Sequence, residues 1–187
     1  MIRSMHMIPA ATARYTLGGG GDGYGANIVQ RYAKNLGSFY LHFDRGAALR
    51  EIRAAAANGE KIIIVGHSWG GWSAATVAAA AAREGIKVDL LATIDPIGKL
   101  SPQTLDGLKD IGGLWANISS SWKNQDEKTR GDKIADFGET LGGQTQTSRA
   151  DVNEFSQGHH EDFGIMMNDL RVPQMICSVD PQDKSCK

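Results

Sequence analysis

The stretch Ile62-Ile63-Ile64-Val65-Gly66-His67-Ser68-Trp69-Gly70-Gly71 decides the fold of this chain. Its first four residues are apolar and β-branched, which predicts a buried parallel strand. Residues 72–83, just after it, contain seven alanines and neither Gly nor Pro, which predicts a helix. Gly66 and Gly70 lie two positions on either side of Ser68, where a tight strand-to-helix turn leaves no room for a Cβ atom. The stretch therefore predicts a strand, a sharp turn that presents Ser68, and a helix.

Strands and helices are predicted to alternate along most of the chain. Apolar runs predict strands at 13–17, 38–43, 61–65, 88–94 and 114–118. Helices are predicted at 26–35, 46–57, 71–83, 102–110 and 161–170. This alternation favours a parallel sheet with helices on both faces, because each crossover must lie over a face. Residues 119–158 are polar and glycine-rich, and we expect them to form an irregular excursion.

The sequence Gly-His-Ser-Trp-Gly-Gly resembles the nucleophile elbow of serine esterases, lipases and thioesterases of the α/β-hydrolase superfamily. The chain is similar to a small, lid-poor member. The resemblance implies one α/β-hydrolase domain over residues 1–187, a three-layer sandwich with helices on both faces of a mostly parallel sheet of about five or six strands. It also implies that Ser68 is the nucleophile, activated by a base, and that an acid and then a histidine follow it along the chain.

Asp95 is the candidate acid. It directly follows the apolar run 88–94, which we predict to be the parallel strand beside that of Ser68, and Pro96 ends that strand. In a doubly wound sheet, functional groups collect beyond the carboxyl ends of the strands. Asp95 can therefore reach the same rim of the sheet as Ser68.

The base has two candidates, His159 and His160. Adjacent side chains rarely point the same way, so we expect only one of them to act. Gly158 gives the loop freedom to turn and favours His159, whereas His160 opens the segment His-Glu-Asp-Phe and stays open as the alternative. Outside a triad, the two histidines would belong to a solvated loop, or to a metal pair with Glu161 and Asp162.

Ester hydrolysis also needs hydrogen-bond donors for the negative charge that develops on the carbonyl oxygen. The amide of Trp69 is one candidate, because it begins the predicted helix, where the helix dipole favours an anion. The second donor is expected from Gly19 or Gly20, in the glycine-rich loop after the predicted strand 13–17. Glycines expose their amides and let a substrate approach closely. We expect Asp22 to brace this loop by accepting backbone hydrogen bonds.

The same loop supports a rival hypothesis, a nicotinamide-dinucleotide-binding oxidoreductase. The glycines of Gly18–Gly23 match the G-x-G-x-x-G fingerprint, and Asp44 follows the next predicted strand, where it could bind a ribose. However, five glycines in six residues satisfy almost any such spacing, and Asp22 would repel the pyrophosphate. The rival also leaves Ser68 unexplained. No Gly-Lys-Ser/Thr follows the glycines, which excludes a P-loop.

Composition limits the partners of the chain. It has 187 residues, 41% of them hydrophobic, and a formal net charge of −1 without a basic stripe, so no nucleic-acid partner is predicted. No apolar stretch approaches the ~20 residues of a membrane-spanning helix. Residues 1–12 lack the apolar core of a signal peptide, and we expect them to be disordered or foreign to the native chain. We therefore expect a cytoplasmic monomer, with delivery outside the cell by a route without a signal peptide as the alternative.

Cys177 and Cys186 lie in a polar C-terminal tail. They would either close a small disulfide loop or remain two reduced thiols. Two cysteines do not decide the cellular compartment, and both alternatives stay open.

These observations predict a serine hydrolase that cleaves carboxylic esters through Ser68, Asp95 and one of the two histidines, without a metal or an organic cofactor. Its substrate is expected to be a small-molecule or lipid ester, and thioesters and phospholipids stay open. The alternatives are the nicotinamide-dependent oxidoreductase and a catalytically inert hydrolase-like binding protein.

Overall fold

The computed structural model describes residues 10–20, 28–34, 37–121, 127–143, 145–169, 171–183 and 186. Its strands are β1 (Thr12–Gly18), β2 (Ser38–Leu41), β3 (Lys61–His67), β4 (Leu90–Ile94), β5 (Leu114–Ser120) and β6 (Val152–Ser156). They form one six-stranded sheet in the order β2-β1-β3-β4-β5-β6, and every neighbouring pair is parallel. The strand order reverses between β1 and β3, which creates a crevice at their carboxyl ends.

Seven α-helices connect the strands or follow them within the described residues. They are α1 (Ile28–Ala33), α2 (Arg45–Ala57), α3 (Trp69–Arg83), α4 (Pro102–Gly107), α5 (Arg130–Gly142), α6 (Phe163–Asp169) and α7 (Val172–Val179). A 3₁₀ turn, Leu108–Asp110, extends α4. No helix of the part described here is long and apolar enough to span a membrane.

The core lies on both faces of the sheet because strand side chains alternate. On β3, Ile62 and Ile64 join a buried cluster on the face that carries α2, α3 and α4. Ile63 and Val65 join a second cluster on the opposite face, with α1, α6 and α7. The continuous apolar run of β3 follows from this burial on two sides, and the predicted three-layer α/β fold is confirmed.

The five predicted strands are all present, although β2 ends at Leu41 and β4 begins only at Leu90. Of the helix predicted over 26–35, the described part is Ile28–Ala33. Asp44 occupies the N-cap position of α2, but its side chain makes no capping hydrogen bond. The proposed bracing role of Asp22 lies outside the described residues.

The expectation of an irregular excursion over residues 119–158 was wrong, because this region contains α5 and β6. The apolar residues Ile134, Phe137 and Leu141 of α5 recur at helical spacing, so the sequence did contain a helical signal, but they are exposed and the inward side carries the small residues Ala135 and Gly138. β6 exposes Asn153, Glu154 and Phe155, since it is the edge strand of the sheet. Its strand conformation depends on pairing with β5 rather than on its own composition.

The C-terminal tail is also more ordered than its polar sequence indicates. It contains α7, which packs on the sheet, and Cys177 at the end of α7 forms a disulfide with Cys186. Arg14 of β1 forms ion pairs with Asp180, at 2.7 Å, and with Asp183. The disulfide closes a loop within the tail, and the ion pairs attach this loop to β1, where the side chain of Arg14 is only 10% exposed.

Candidate active site

Ser68 lies at the sharp turn between β3 and α3, at the strand-order reversal of the sheet. Its backbone has φ 58° and ψ −130°, a left-handed conformation that non-glycine residues rarely adopt. A Cβ atom on Gly66 would overlap the carbonyl oxygen of Gly70, and one on Gly70 would overlap that of Leu17. The two glycines of the motif are therefore required by the approach of the turn to its own backbone and to β1.

Register brings Asp95 beside Ser68. β3 and β4 pair His67 with Ile94, so the chain leaves both strands at the same level. The amide of Ser68 also donates to the carbonyl of Ile94, at 3.0 Å. Like Ser68, Asp95 has a positive φ, 41°, and this turn directs it toward the rim of the sheet.

The side chain of His160 lies between Ser68 and Asp95. Its Nδ1 is 2.6 Å from Oδ2 of Asp95, and its Nε2 is 3.1 Å from Oγ of Ser68. A carboxylate only accepts hydrogen bonds, so Nδ1 carries the proton and Nε2 is left to accept the proton of the serine hydroxyl. All three side chains are largely buried, and His160 is only 5% exposed.

His159 does not face Ser68, so this geometry does not support the preference for His159 over His160 as the base. Its Nδ1 donates to Oδ2 of Asp132, at 2.6 Å, and its side chain is 27% exposed. The hydrogen bond with Asp132 raises the pKa of His159 above its ordinary value. The two neighbouring histidines thus have different carboxylate partners, and only His160 contacts the serine.

Asp95 is held as a carboxylate by three hydrogen bonds. Besides His160, it accepts from the amide and the hydroxyl of Ser120, at 2.9 and 2.8 Å. Burial disfavours the charged form, but the bonds from His160 and Ser120 outweigh it and keep the pKa of Asp95 below its usual range. An ionised Asp95 can therefore orient the imidazole of His160 and stabilise its protonated form.

His67, the residue before Ser68, contacts His160 as well. Its Nε2 donates to the carbonyl of His160 at 2.7 Å, and the two rings lie 4.8 Å apart with a tilt of 32°. Burial, reinforced by the neighbouring imidazole of His160, lowers the pKa of His67 to about 3. His67 is therefore neutral at physiological pH, with its proton on Nε2.

The candidates for the oxyanion site surround the turn. Trp69 is the first residue of α3, and an amide at this position has no partner within its own helix. Gly19 directly follows β1, and a Cβ atom there would lie 2.6 Å from Cβ of Ser68. A Cβ atom on Gly20 would lie 3.0 Å from the ring of Trp69. The structure thus brings Gly19, Gly20 and Trp69 to one side of Ser68.

An apolar cavity of about 230 Å³ adjoins the turn. The residues that line it include Trp69, Trp72 and Ile97, and Gly142 of α5. Two of the lining residues adjoin Ser68. Trp69 directly follows it in the chain, and the amide of Ile97 donates to its carbonyl at 3.1 Å.

Sequence reasoning missed three residues of this site: His67, Ser120 and Asp132. Asp132 is fully buried in the first turn of α5, where it forms a capping box with Thr129. The pattern Thr-x-x-Asp was a readable signal for the start of this helix. No sequence signal connects Ser120 with Asp95 or His67 with His160, since both contacts join distant segments of the chain.

The parts required by the oxidoreductase hypothesis are only partly described, since Gly18, Gly19 and Gly20 belong to the described residues and Gly21–Gly23 do not. The observed strand order also differs from 3-2-1-4-5-6, the order of the common dinucleotide-binding sheet. Asp44 begins α2 instead of ending a strand. Among the described residues, no group of three or more His, Cys, Asp or Glu side chains could hold a metal ion.

Neither a protein-family model nor a curated protein sequence matches this chain. Among solved structures, it is similar to the type II thioesterase YbtT from the yersiniabactin NRPS/PKS biosynthetic pathway, with a TM-score of 0.51 and 11% identity over 93% of this chain and 96% of that one. Est1E from Butyrivibrio proteoclasticus gives a TM-score of 0.48 at 12% identity, over 91% of this chain and 89% of that one. A Pyrobaculum calidifontis esterase gives 0.48 at 13% identity, over 92% and 77%.

At such low identity the similarity to YbtT concerns the fold alone. It agrees with the parallel sheet covered by helices on both faces. The chain has the α/β-hydrolase fold.

Proposed function

We propose that this protein is a serine hydrolase that cleaves carboxylic esters. The observation that carries the proposal is the hydrogen-bonded series from Oγ of Ser68 through the imidazole of His160 to the carboxylate of Asp95, at 3.1 and 2.6 Å. A serine, a base within reach of its hydroxyl and an acid that orients the base are the components of a nucleophilic triad.

In the proposed reaction, Oγ of Ser68 attacks the ester carbonyl carbon while Nε2 of His160 takes the hydroxyl proton. The tetrahedral intermediate collapses when His160 returns this proton to the leaving alcohol, which leaves the acyl group on Ser68. A water molecule then attacks the acyl carbon while Nε2 of His160 takes its proton, and the second tetrahedral intermediate collapses as His160 returns this proton to Oγ of Ser68 and the carboxylic acid leaves. Asp95 remains ionised throughout and stabilises the imidazolium.

The negative charge on the former carbonyl oxygen needs donors that are in place before the reaction. We propose the amide of Trp69 as one donor, because it lies at the N-terminus of α3 and directly beside the nucleophile. Gly19 and Gly20 remain the candidates for the second donor, since a side chain at either position would collide with Ser68 or Trp69.

The cavity between Trp69 and Trp72 supports an ester with an apolar chain. Its volume of about 230 Å³ is below the range of roughly 300–1,000 Å³ of pockets for drug-sized ligands, so we expect a short or medium chain rather than a long one. Thioesters and phospholipids share the reacting carbonyl, and only a substrate panel separates them from simple esters. The proposal requires neither a metal nor a nicotinamide cofactor, so we expect activity to withstand EDTA.

The test combines a fluorophosphonate probe with p-nitrophenyl esters of increasing chain length. We expect the probe to label Ser68, and Ser68→Ala to abolish both labelling and hydrolysis, whereas Ser178→Ala, at an exposed serine of α7, retains both. His160→Gln should lower kcat by several orders of magnitude and His159→Gln by less than about tenfold. Hydrolysis by Ser68→Ala at the parental rate would refute the proposal, and so would an ester-inactive, unlabelled protein that binds NADH.

A further inference from the structure

The backbone of His160 is held on both sides of its Cα atom by side chains from distant parts of the chain. Oδ1 of Asp132, in α5, accepts a hydrogen bond from the backbone N–H of His160 at 2.9 Å. Nε2 of His67, at the end of β3, donates to the backbone carbonyl of His160 at 2.7 Å. The proposed reaction uses neither side chain, and neither contacts Ser68 Oγ.

Both side chains are polar although they are buried, so contact with solvent does not account for them. Asp132 is 0% exposed and His67 is 4% exposed. A buried polar group is costly without a partner, so each must make its hydrogen bonds in this geometry. Asp132 uses both oxygens, since Oδ2 accepts from the amide of Thr129 and from His159. The carboxylate therefore joins the N-terminus of α5 to the histidine loop.

His160 needs such support because it lies in a turn between β6 and α6, where no strand or helix holds its backbone. Asp95 contacts only the Nδ1 end of its ring. Rotation of the backbone at His160 would move Nε2 away from Ser68 even with the bond to Asp95 in place. One hydrogen bond to the backbone N–H of His160 and one to its C=O, together with the packing of the His67 ring, restrict that rotation.

We propose that Asp132 and His67 are positioning residues that hold the backbone N–H and C=O of His160, so that Nε2 stays within reach of Oγ of Ser68. The inference rests on the proposed function of Ser68, His160 and Asp95. His67, directly before the nucleophile, and Asp132, in the first turn of α5, thus both fix the backbone of His160. Neither residue touches the substrate, so their loss should affect turnover and not substrate binding.

The experiment removes one hydrogen bond at a time. His67→Phe keeps an aromatic ring beside His160 but loses the donor, and His67→Gln restores an N–H near the position of Nε2. Asp132→Ala removes the acceptor, and Asp132→Asn keeps one oxygen for the amide of His160. We expect His67→Phe and Asp132→Ala to lower kcat by about 10- to 100-fold with KM within about threefold, since a 1 Å misplacement costs roughly 10²-fold. The conservative variants should recover part of the loss.

Thr129→Ala is the matched structural control. It removes the other half of the same capping box and the bond from its hydroxyl to Glu161, but leaves both hydrogen bonds to the backbone of His160 in place. It should lower stability by about 1 kcal/mol while kcat changes by less than about threefold. If His67→Phe and Asp132→Ala fold and keep kcat within twofold of the parent, or if Thr129→Ala lowers kcat as strongly as Asp132→Ala, the inference is overturned. If His67→Phe or Asp132→Ala does not fold, the kcat of its conservative counterpart, His67→Gln or Asp132→Asn, is compared with the parent in the same way.

A second measurement does not depend on activity. The proton that His160 Nδ1 donates to Asp95 at 2.6 Å should give a far-downfield NMR resonance in the parent protein. We expect this resonance to shift or to be lost in His67→Phe and in Asp132→Ala, but to persist in Thr129→Ala. An unchanged resonance in the first two variants overturns the positioning role even if no ester is hydrolysed, whereas an inactive, unlabelled parent with the expected shifts overturns only the proposed function.

Discussion

Replacing Asp95 with Asn tests the proposed mechanism with little change in packing, because the substitution keeps the shape of the side chain and changes only its hydrogen bonding. In the parent protein Oδ1 accepts from the amide of Ser120, while Oδ2 accepts from the Ser120 hydroxyl and from Nδ1 of His160. The new amide has one oxygen and one NH₂ group for these two places. The orientation of that amide decides the outcome.

The NH₂ group cannot take the place of Oδ1, because it would face the N–H of Ser120 and leave two donors in contact within a buried site. It must therefore take the place of Oδ2, where the Ser120 hydroxyl can accept from it. There it also faces Nδ1 of His160, which must then be unprotonated. The proton of the imidazole moves to Nε2, which points to Ser68 and can no longer accept the hydroxyl proton.

We therefore expect Asp95→Asn to lower kcat by about 10⁴-fold, equivalent to about 5 kcal/mol of transition-state stabilisation. The free energy of unfolding should change by less than about 2 kcal/mol, since packing is preserved. Initial rates with a p-nitrophenyl ester, together with urea unfolding, measure both quantities. Asp106→Asn is the matched control, because the side chain of Asp106 is 67% exposed and pairs with Lys109. A folded Asp95→Asn variant with kcat within tenfold of the parent refutes the assignment of Asp95.

Three further predictions concern stability and are measured by urea unfolding. Because the pKa of His159 is raised, its ion pair with Asp132 stabilises the fold below pH ~6.5, and this contribution is lost as the pH rises through the folded-state pKa. The difference in unfolding free energy between the parent and His159→Gln should therefore be larger at pH 5.5 than at pH 8.5. An equal difference at the two pH values contradicts the pairing. Gly70→Ala should lower the free energy of unfolding by about 3 kcal/mol or more, because the new Cβ atom meets the backbone of β1. Gly164→Ala, with open space around it in α6, should raise the free energy of unfolding by up to about 1 kcal/mol. Similar effects of the two substitutions would disprove the close approach of Gly70 to β1. Replacing both Cys177 and Cys186 with Ser should lower the free energy of unfolding by about 3 kcal/mol, because the disulfide closes a loop between residues nine positions apart. Mass spectrometry of the parent protein should show no free thiol.

The sequence by itself was sufficient for the turn at Ser68 and for the fold class, because both depend on local chemistry. A β-branched run, two glycines around a serine and an alanine-rich helix leave few other conformations. Asp95 could be placed by the same reasoning, since the carboxyl ends of neighbouring parallel strands meet at one rim of the sheet. These signals lie within a few residues of the groups that they position.

Only the tertiary structure distinguished His160 from His159, because the two residues are adjacent and have the same local preferences. The difference arises from α5 and β3: Asp132 binds the ring of His159 and the amide of His160, and His67 binds the carbonyl of His160. Their contacts join segments far apart in the chain, and the sequence of α5 does not show that Asp132 faces the histidines, because its apolar residues Ile134, Phe137 and Leu141 are exposed instead. The identity of the histidine beside Ser68 is therefore a consequence of long-range hydrogen bonding, which no local pattern of residues encodes.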